Sequence, residues 1–328
     1  MPTKVTVLGA GNMGTAIAHV VGLNGFKVSL WNYSGDTEPL NQITHECENK
    51  KYLPGIKLSS NIKPECKILD ALKGSRVIFY SLPSVFMPTL IEQSSSFVEK
   101  GAICVDVSKG IDGKSLSLIP SLMKKFLKNQ KIAAISGPAI ACDMASGQFT
   151  SMNIAAEDKK TVIQIKKVLE NKNLKLIPIF DLIGMELCGS FKNVYAIAIG
   201  ICDGLAMPMN TKSVLLVKAL KELDRIVKKM GGKNGTAYEL CGLGDLAGTA
   251  FCEKSRNRRF GELLASGLSA SSALKKVGQI VEGLEAVKSL VSLTKKKKIS
   301  APFAGVVDKI IKNKIYPLDG IKQLLSYK

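Results

Sequence analysis

The chain has 328 residues, of which 46% are hydrophobic and 22% are charged. It is longer than one typical domain and apolar enough for packed cores, so we expect a globular protein with two domains. Its eight cysteines are scattered without any C-x-x-C pair, and it has only two histidines. The sequence therefore predicts reduced thiols and no metal site.

The N-terminus lacks a charged segment followed by an apolar one, and no apolar run reaches the roughly eighteen residues of a membrane span. We expect a soluble, cytoplasmic protein without stable membrane insertion. The net charge of +19 comes mostly from lysines spread along the chain, and aromatic residues are not interleaved with the lysine runs. This pattern favours a solvated surface that attracts anionic small molecules, and we expect no nucleic-acid partner.

The chain opens with a strand, a glycine turn and a helix. Gly9 permits the tight turn, Gly11 leaves room for a pyrophosphate, and Gly14 lets the helix and strand pack closely. N–H groups at the start of the helix then point at the phosphates. The strand, the helix and a second strand are predicted at 4–8, 15–23 and 27–31. This complete βαβ context predicts a dinucleotide-binding site.

The end of the second strand normally decides between NAD and NADP. An acid there binds the ribose, and a basic group accepts a 2′-phosphate. Asn32, Tyr33 and Ser34 satisfy neither rule. The sequence therefore leaves the choice open, and we expect both cofactors to be usable.

Five further strands are predicted at 77–82, 102–107, 132–135, 151–155 and 174–177. They predict a doubly wound Rossmann-type α/β sheet, whose ligands bind beyond the carboxyl ends of the strands. Three polar turns fall at such ends, at 83–84, 108–110 and 136–138. Lys109 is the cation among them, and Pro138 is predicted at the first position of a helix.

Beyond residue 184 the strand signal stops, and an all-α C-terminal domain is predicted. We expect a dinucleotide-binding domain at 1–184 and a helical substrate-binding domain at 185–328. The main helices are predicted at 184–206, 212–230, 235–241, 256–265, 269–277 and 281–292.

One stripe of the helix at 184–206 is polar or small, and we expect it to face a wet cleft of an otherwise buried helix. Desolvation there lowers the pKa of Lys192 and makes its neutral amine available as a general base. The pattern alone also fits a lysine that extends its ammonium to water. The residues of this polar stripe are Glu186, Gly189, Lys192, Asn193, Ala196, Gly200 and Asp203.

Two polar segments interrupt the helical pattern, at 242–246 and 255–261. Ser255 is predicted to cap a helix whose first turn holds Arg256 and Asn257. A helix N-terminus and a guanidinium then converge on one anion, which predicts a phosphate site. A surface arginine cluster and a small contact to a nucleic-acid backbone fit the same residues.

Taken together, the motifs resemble those of the bacterial NAD(P)-dependent glycerol-3-phosphate dehydrogenases. They follow one another along nearly the whole chain, and the long motif around Ser255, Arg256 and Asn257 is highly specific. The resemblance implies reversible hydride transfer between C2 of glycerol 3-phosphate and NAD or NADP. This reaction interconverts glycerol 3-phosphate and dihydroxyacetone phosphate, and it supplies phospholipid synthesis. The motifs lie at 9–14, 49–55, 108–110, 136–138, 192–193, 242–246, 255–261 and 279–283.

By position, the resemblance makes Lys192 the proton acceptor. The substrate residues that it implies are Lys109, Gly137, Ala139, Lys192, Asp245, Ser255, Arg256 and Asn257. The cofactor residues, beside the glycines of the turn, are Asn12, Met13, Tyr33, Lys109, Ala141, Arg256, Ile280 and Glu282. Ala139 stands where a serine or threonine is common, and Tyr33 stands where a basic residue or histidine is common, so neither supplies the usual contact.

Two other functions remain compatible with the sequence. A related two-domain dehydrogenase acting on a hydroxy acid or sugar acid needs a carboxylate site in place of the phosphate site. A non-catalytic NAD-sensing protein that binds nucleic acid shows salt-dependent DNA binding without turnover. The sequence does not define the oligomeric state and is compatible with a homodimer.

Overall fold

The computed structural model describes residues 3–327, and the chain forms two compact units. The first comprises the residues up to Ser108 together with Ile119–Leu182, and the second comprises Lys109–Leu118 and the residues from Ile183 onward. The predicted boundary after residue 184 lies close to this change of unit. However, the sequence placed 109–118 in the first domain, whereas the Lys109 side chain pairs with Asp245 and the segment packs with the second unit.

Within the described residues, the first unit contains eight strands in one sheet. They are β1 (Lys4–Leu8), β2 (Val28–Trp31), β3 (Ile62–Glu65), β4 (Ser75–Tyr80), β5 (Ile103–Asp106), β6 (Lys131–Ser136), β7 (Thr150–Ala156) and β8 (Leu174–Pro178). Their order is β3-β2-β1-β4-β5-β6-β7-β8, with every pair parallel except β6 and β7. This confirms the doubly wound sheet. The sequence missed β3 because this short edge strand contains Pro64 and charged residues.

Apolar side chains cover both faces of this sheet. Along β4, Val77 and Phe79 join one buried cluster, whereas Ile78 and Tyr80 join another. Alternate residues of a strand point to opposite faces, so helices must pack on both sides. The helices of this unit are α1 (Asn12–Leu23), α2 (Glu38–Glu46), α3 (Ile68–Leu72), α4 (Met87–Ser95), α5 (Ile119–Phe126), α6 (Ala141–Ala145) and α7 (Lys159–Leu169).

The second unit is helical, as predicted. Its helices are α8 (Leu182–Gly204), α9 (Met209–Lys229), α10 (Asp245–Ala250), α11 (Arg256–Ala265), α12 (Ala270–Val277), α13 (Glu282–Lys297), α14 (Pro302–Ile311) and α15 (Pro317–Ser326).

The prediction of an α-helix at 235–241 was wrong. The chain there forms a 3₁₀ turn at Thr236–Tyr238 and a π-helical turn at Leu240–Gly244, which leads directly into α10. A Cβ on Gly242 would lie 2.1 Å from the carbonyl oxygen of Ala237, so glycine is required at this close approach. The widened turn places Asp245 at the start of α10, as π-helical turns often do for functional side chains.

Helix α8 is the core of the second unit. Among the described residues it alone is long and apolar enough to cross a membrane, but 89% of its most apolar window is buried inside the protein, as in the core helix of a folded domain. It meets α11 at two glycines. A Cβ on Gly200 would lie 2.0 Å from the Arg258 carbonyl oxygen, and one on Gly261 would lie 2.1 Å from the Ile197 carbonyl oxygen.

We expect Gly200→Ala to lower the free energy of unfolding by about 2 kcal/mol or more, because its methyl group meets backbone atoms that cannot move away alone. Gly305→Ala is the matched control. Gly305 lies inside α14, and a Cβ there has no neighbour within 4 Å, so helix propensity alone should raise stability slightly. Thermal unfolding midpoints measure both, and equal midpoints would contradict the close crossing of α8 and α11.

Candidate functional site

The glycine turn after β1 has the geometry that its spacing predicts. Gly9 has a left-handed φ of 118°, and a Cβ there would lie 2.4 Å from the Ser81 carbonyl oxygen. A Cβ on Gly14 would lie 1.9 Å from the Gly9 carbonyl oxygen. Only glycine fits both positions, because Gly9 has a φ that other residues rarely adopt and Gly14 packs too closely against Gly9 to carry a Cβ.

Gly11 differs from these two glycines, since a Cβ there would point into open space. Gly11 is the N-cap of α1, and no side chain caps that helix end. Helix N–H groups therefore lie beside open space without a capping side chain, which is the arrangement that binds a pyrophosphate. The turn fits a dinucleotide, and Asn12 and Met13 form the first turn of the helix next to it.

Beyond β2, Asn32 is buried and structural. Its Oδ1 accepts a hydrogen bond from Ala10 N at 3.2 Å, and its Nδ2 donates to the Asp36 carbonyl oxygen at 2.7 Å. Tyr33 is exposed and stacks near Phe86, with ring centroids 6.5 Å apart and planes at 20°. These rings offer an apolar aromatic platform at the cofactor end of the sheet. The sequence did not predict that Phe86 lies beside Tyr33, because the two residues are far apart in the chain and meet only in the folded structure.

The carboxyl ends of β5 and β6 present hydroxyl groups. Within residues 3–327, the buried Oγ atoms of Ser108 and Ser136 have no hydrogen-bond partner. Gly137 follows β6 and has no room for a side chain, since a Cβ would lie 2.8 Å from Met152 Cα. The prediction that Pro138 begins a helix was wrong: the chain stays irregular through half-buried Ala139, and the short α6 begins at Ala141.

The second unit brings two lysines onto one carboxylate. Lys192 Nζ, in the middle of α8, donates to Asp245 Oδ1 at 2.5 Å, and Lys109 Nζ donates to Asp245 Oδ2 at 2.5 Å. The side chains of Lys192 and Asp245 are 6% and 4% exposed, whereas that of Lys109 is 20% exposed. We call these three residues the lysine–aspartate centre.

Burial separates the protonation behaviour of the two lysines. It lowers the pKa of Lys192 from 10.5 to about 8. The Lys109 ammonium also lowers this pKa, whereas the Asp245 carboxylate raises it. Burial acts likewise on Lys109, but the Asp245 carboxylate outweighs it and raises the Lys109 pKa. Burial alone would raise the pKa of Asp245, yet the two lysines outweigh it and lower that pKa. The centre therefore holds one fixed cation, one fixed anion and one amine that exchanges a proton near neutral pH.

The sequence reasoning missed Thr249, whose Oγ1 accepts from Lys192 Nζ at 2.5 Å and lies 3.5 Å from Asp245 Oδ1. Its spacing from Asp245 was the available signal, because residues four apart share a helix face. Asn193, beside Lys192, donates from Nδ2 to Glu282 Oε2 at 3.4 Å. Among residues 3–327, no group of three His, Cys, Asp or Glu side chains is placed to hold a metal ion.

The N-terminus of α11 is capped as predicted, with Ser255 Oγ accepting from Arg258 N at 3.3 Å. Arg256 is exposed and donates from Nη1 to the Ile280 carbonyl oxygen at 3.0 Å, which leaves most of its guanidinium N–H groups available. Asn257 is buried and accepts from Gly283 N at 2.9 Å. The predicted anion site therefore has an exposed guanidinium beside a capped helix start, with Ile280 and Glu282 close by.

One expectation about this unit needs correction. The polar stripe of α8 does not face a cleft along its length, because Gly200 is the helix crossing and Asp203 pairs with Lys212 at 2.7 Å and with Arg258 at 2.5 Å. At the middle of the stripe, Lys192 contacts Asp245 and Thr249, and Asn193 contacts Glu282. Of the arginines in the motif at 255–261, Arg258 and Arg259 pair with Glu262, so Arg256 is the one without a carboxylate partner among the described residues.

A mostly parallel sheet with this glycine turn, joined in one chain to a helical unit with a buried lysine of lowered pKa, is typical of a nicotinamide-dependent dehydrogenase. Family models described as NAD-dependent glycerol-3-phosphate dehydrogenase N-terminus and C-terminus match residues 4–162 and 181–322. The chain belongs to the NAD-dependent glycerol-3-phosphate dehydrogenase family, which confirms the resemblance seen in the sequence.

Known relatives match nearly the whole chain. The chain is 33% identical to glycerol-3-phosphate dehydrogenase [NAD(P)+] 2 of Lactobacillus delbrueckii subsp. bulgaricus, over 94% of this chain and 92% of that protein. It is 34% identical to glycerol-3-phosphate dehydrogenase [NAD(P)+] of Bacillus subtilis, over 94% of this chain and 90% of that protein. The crystal structure of glycerol-3-phosphate dehydrogenase from Coxiella burnetii superposes with a TM-score of 0.95 and 31% identity, covering 99% of each chain.

Proposed function

We propose that this protein interconverts sn-glycerol 3-phosphate and dihydroxyacetone phosphate with NAD or NADP. The observation that carries the proposal is the lysine–aspartate centre, where a buried amine with a pKa near neutral pH shares one carboxylate with a permanent cation. Oxidation of a secondary alcohol needs a base for the hydroxyl proton, and the reverse reaction needs an acid at the same point. Lys192 can take both roles because its pKa lies near the working pH.

In the oxidative direction, neutral Lys192 accepts the proton of the C2 hydroxyl group. A bound nicotinamide supplies the acceptor for the hydride that leaves C2. Asp245 and Thr249 hold the Lys192 amine in place, and Asp245 stays ionised to balance the ammonium that forms. Lys109 remains protonated and stabilises negative charge on the C2 oxygen. In reduction, Lys192 returns its proton to that oxygen.

The other assignments follow from chemistry and from the family resemblance. We assign the substrate phosphate to Arg256 with Ser255 and Asn257, because a guanidinium fork at a helix start suits a phosphate. Gly137 and Ala139 are assigned to the substrate as backbone contacts, since neither offers a polar side chain. The cofactor is assigned to the turn at Gly9, Gly11 and Gly14 and to Asn12, Met13, Tyr33, Lys109, Ala141, Arg256, Ile280 and Glu282.

We further propose that the protein is soluble and cytoplasmic, that it supplies glycerol 3-phosphate for phospholipid synthesis, and that its partners are small molecules, with no nucleic acid and no stable membrane insertion. A homodimer is the proposed assembly. The domain roles are a dinucleotide-binding first unit and a substrate-binding helical unit.

The direct test is an absorbance assay of NADH and NADPH oxidation with dihydroxyacetone phosphate. A panel that includes hydroxy acids and sugar acids separates the proposal from the related dehydrogenases. We expect turnover with the phosphorylated ketone, and turnover only with a carboxylate substrate would overturn the proposal. DNA binding without any turnover would support the nucleic-acid alternative instead.

The two reaction directions should depend on pH in opposite senses. A pKa of about 8 for Lys192 means that the neutral amine needed for oxidation is lost below this value, whereas the ammonium needed for reduction is lost above it. Between about pH 7 and about pH 9 the substrate phosphate does not titrate, because its second pKa is about 6. We expect kcat/KM to rise with pH for oxidation and to fall for reduction across this range. Profiles that move in the same direction would contradict Lys192 as the proton carrier.

A further inference from the structure

A charged cluster lies after the end of β2, where dinucleotide-binding folds distinguish the two cofactors. Lys51 Nζ contacts Asp36 Oδ1 at 2.8 Å and Glu38 Oε2 at 3.0 Å. The Tyr52 hydroxyl donates to Asp36 Oδ2 at 2.8 Å. We call Asp36, Glu38 and Lys51 the acidic cluster.

The cluster is tied to the glycine turn from two sides. Asn32 links Asp36 to Ala10 N, as described above, and Asn49 Nδ2 donates to the Ala10 carbonyl oxygen at 2.9 Å. Asn49 lies two residues before Lys51. The cluster is thus held beside the loop that fits the pyrophosphate, at the strand end where the adenosine ribose binds in such folds.

Two carboxylates and one ammonium leave the acidic cluster with a net charge of −1. Burial would raise the pKa of Asp36, but its bonds to Lys51 and Tyr52 outweigh burial and lower that pKa, so it is ionised. Glu38 is the most exposed of the three, with 57% of its side chain accessible. The sequence from 32 to 49 contains no lysine or arginine, and neighbouring Lys50 pairs with Glu46. Lys51 is therefore the cation of this loop region, and two acids already neutralise it.

We propose that the acidic cluster makes this protein select NAD(H) over NADP(H), with Glu38 as the main specificity-determining residue. The inference rests on the proposed function and narrows the choice of cofactor from NAD or NADP to NAD. Asp36 lies deeper and is saturated by Lys51, Tyr52 and Asn32, whereas Glu38 presents its carboxylate to solvent. A 2′-phosphate brought to this surface meets net negative charge, and Lys51 cannot bind it without breaking an ion pair.

The test measures binding of ADP-ribose and 2′-phospho-ADP-ribose to the full chain by calorimetry, so that turnover is not needed. We expect ADP-ribose to bind about tenfold more tightly, the fold-change that one unit charge near a phosphate dianion produces in a high-dielectric surface. Glu38→Lys turns the cluster from −1 to +1 and should shift the ratio by about a hundredfold toward the 2′-phosphorylated nucleotide. Asp70→Lys makes the same charge change beside Lys4, at the start of β1 and thus at the other end of that strand from the glycine turn, and should leave the ratio nearly unchanged.

Several outcomes overturn the proposal. If the unaltered protein binds the 2′-phosphorylated nucleotide equally or more tightly, the proposed preference for NAD(H) is wrong. The proposed function survives this result, because a dinucleotide site still exists. Equal shifts in Glu38→Lys and Asp70→Lys would attribute the effect to total charge and would also overturn the proposal. Failure of both nucleotides to bind overturns the inference and the proposed function together.

Discussion

Lys192→Ala is expected to fold, to bind the dinucleotide and to lose turnover by about a hundredfold or more, which is the usual cost of a lost general base. Folding should survive because Lys109 still pairs with Asp245, so no buried carboxylate is left without a partner. Alanine is also a strong helix former in the interior of α8. Steady-state kinetics with dihydroxyacetone phosphate measure the loss, and a dinucleotide titration measures binding.

Two further variants separate proton transfer from charge. Lys192→Arg keeps a cation that does not release its proton, so it should be as inactive as the alanine variant. Lys212→Ala removes another lysine paired with an aspartate, at 2.7 Å from Asp203 and outside the lysine–aspartate centre, and should keep its activity. Near-normal turnover in Lys192→Ala would show that Lys192 is not the proton acceptor and donor.

Arg256→Lys is expected to lower kcat/KM for dihydroxyacetone phosphate by about tenfold to a hundredfold, because a charge-assisted hydrogen bond is worth roughly 1.5 to 3 kcal/mol. Lysine keeps the charge but lacks the planar fork that engages two phosphate oxygens. Unphosphorylated dihydroxyacetone, a poor substrate, should hardly respond, since it has no phosphate to lose. Kinetics with both ketones on both proteins measure the difference.

The matched control is Arg259→Lys in the same helix. Arg259 is exposed and pairs with Glu262 at 2.9 Å, so its replacement should leave both substrates unaffected. Arg256 also donates to the Ile280 carbonyl oxygen, next to residues assigned to the cofactor. An equal proportional loss for the two ketones would therefore show that Arg256 supports that contact or the fold and does not bind the phosphate.

Local signals explain what could be predicted from the sequence. The roles of Gly9 and Gly14 follow from spacing alone, and Ser255 marks the start of α11 because capping depends on only a few adjacent residues. Helix α8 was predicted within two residues at each end, because a long apolar periodicity is a strong signal. Such features need no knowledge of the rest of the chain.

Features that depend on tertiary contacts could not be predicted in this way. Lys109 lies three residues beyond the end of β5, and only the folded chain shows that its ammonium pairs with Asp245. Sequence reasoning examined Asn32, Tyr33 and Ser34 for a carboxylate, whereas Asn32 holds Asp36 at the same strand end, and Asp36 pairs with Lys51, fifteen residues further along. The close approach of Phe86 to Tyr33 likewise joins two separate loops.

The chain passes between its two units three times, at 108–109, 118–119 and 182–183. A single cut therefore cannot separate the halves as intact modules. A fragment beginning at Ile183 keeps Lys192, Asp245 and Thr249 but lacks Lys109, so its buried carboxylate retains one lysine in place of two. The protonation behaviour of Lys192 belongs to the whole polypeptide, and recombining this helical half with the sheet of another protein would alter it unless residues 109–118 were transferred as well.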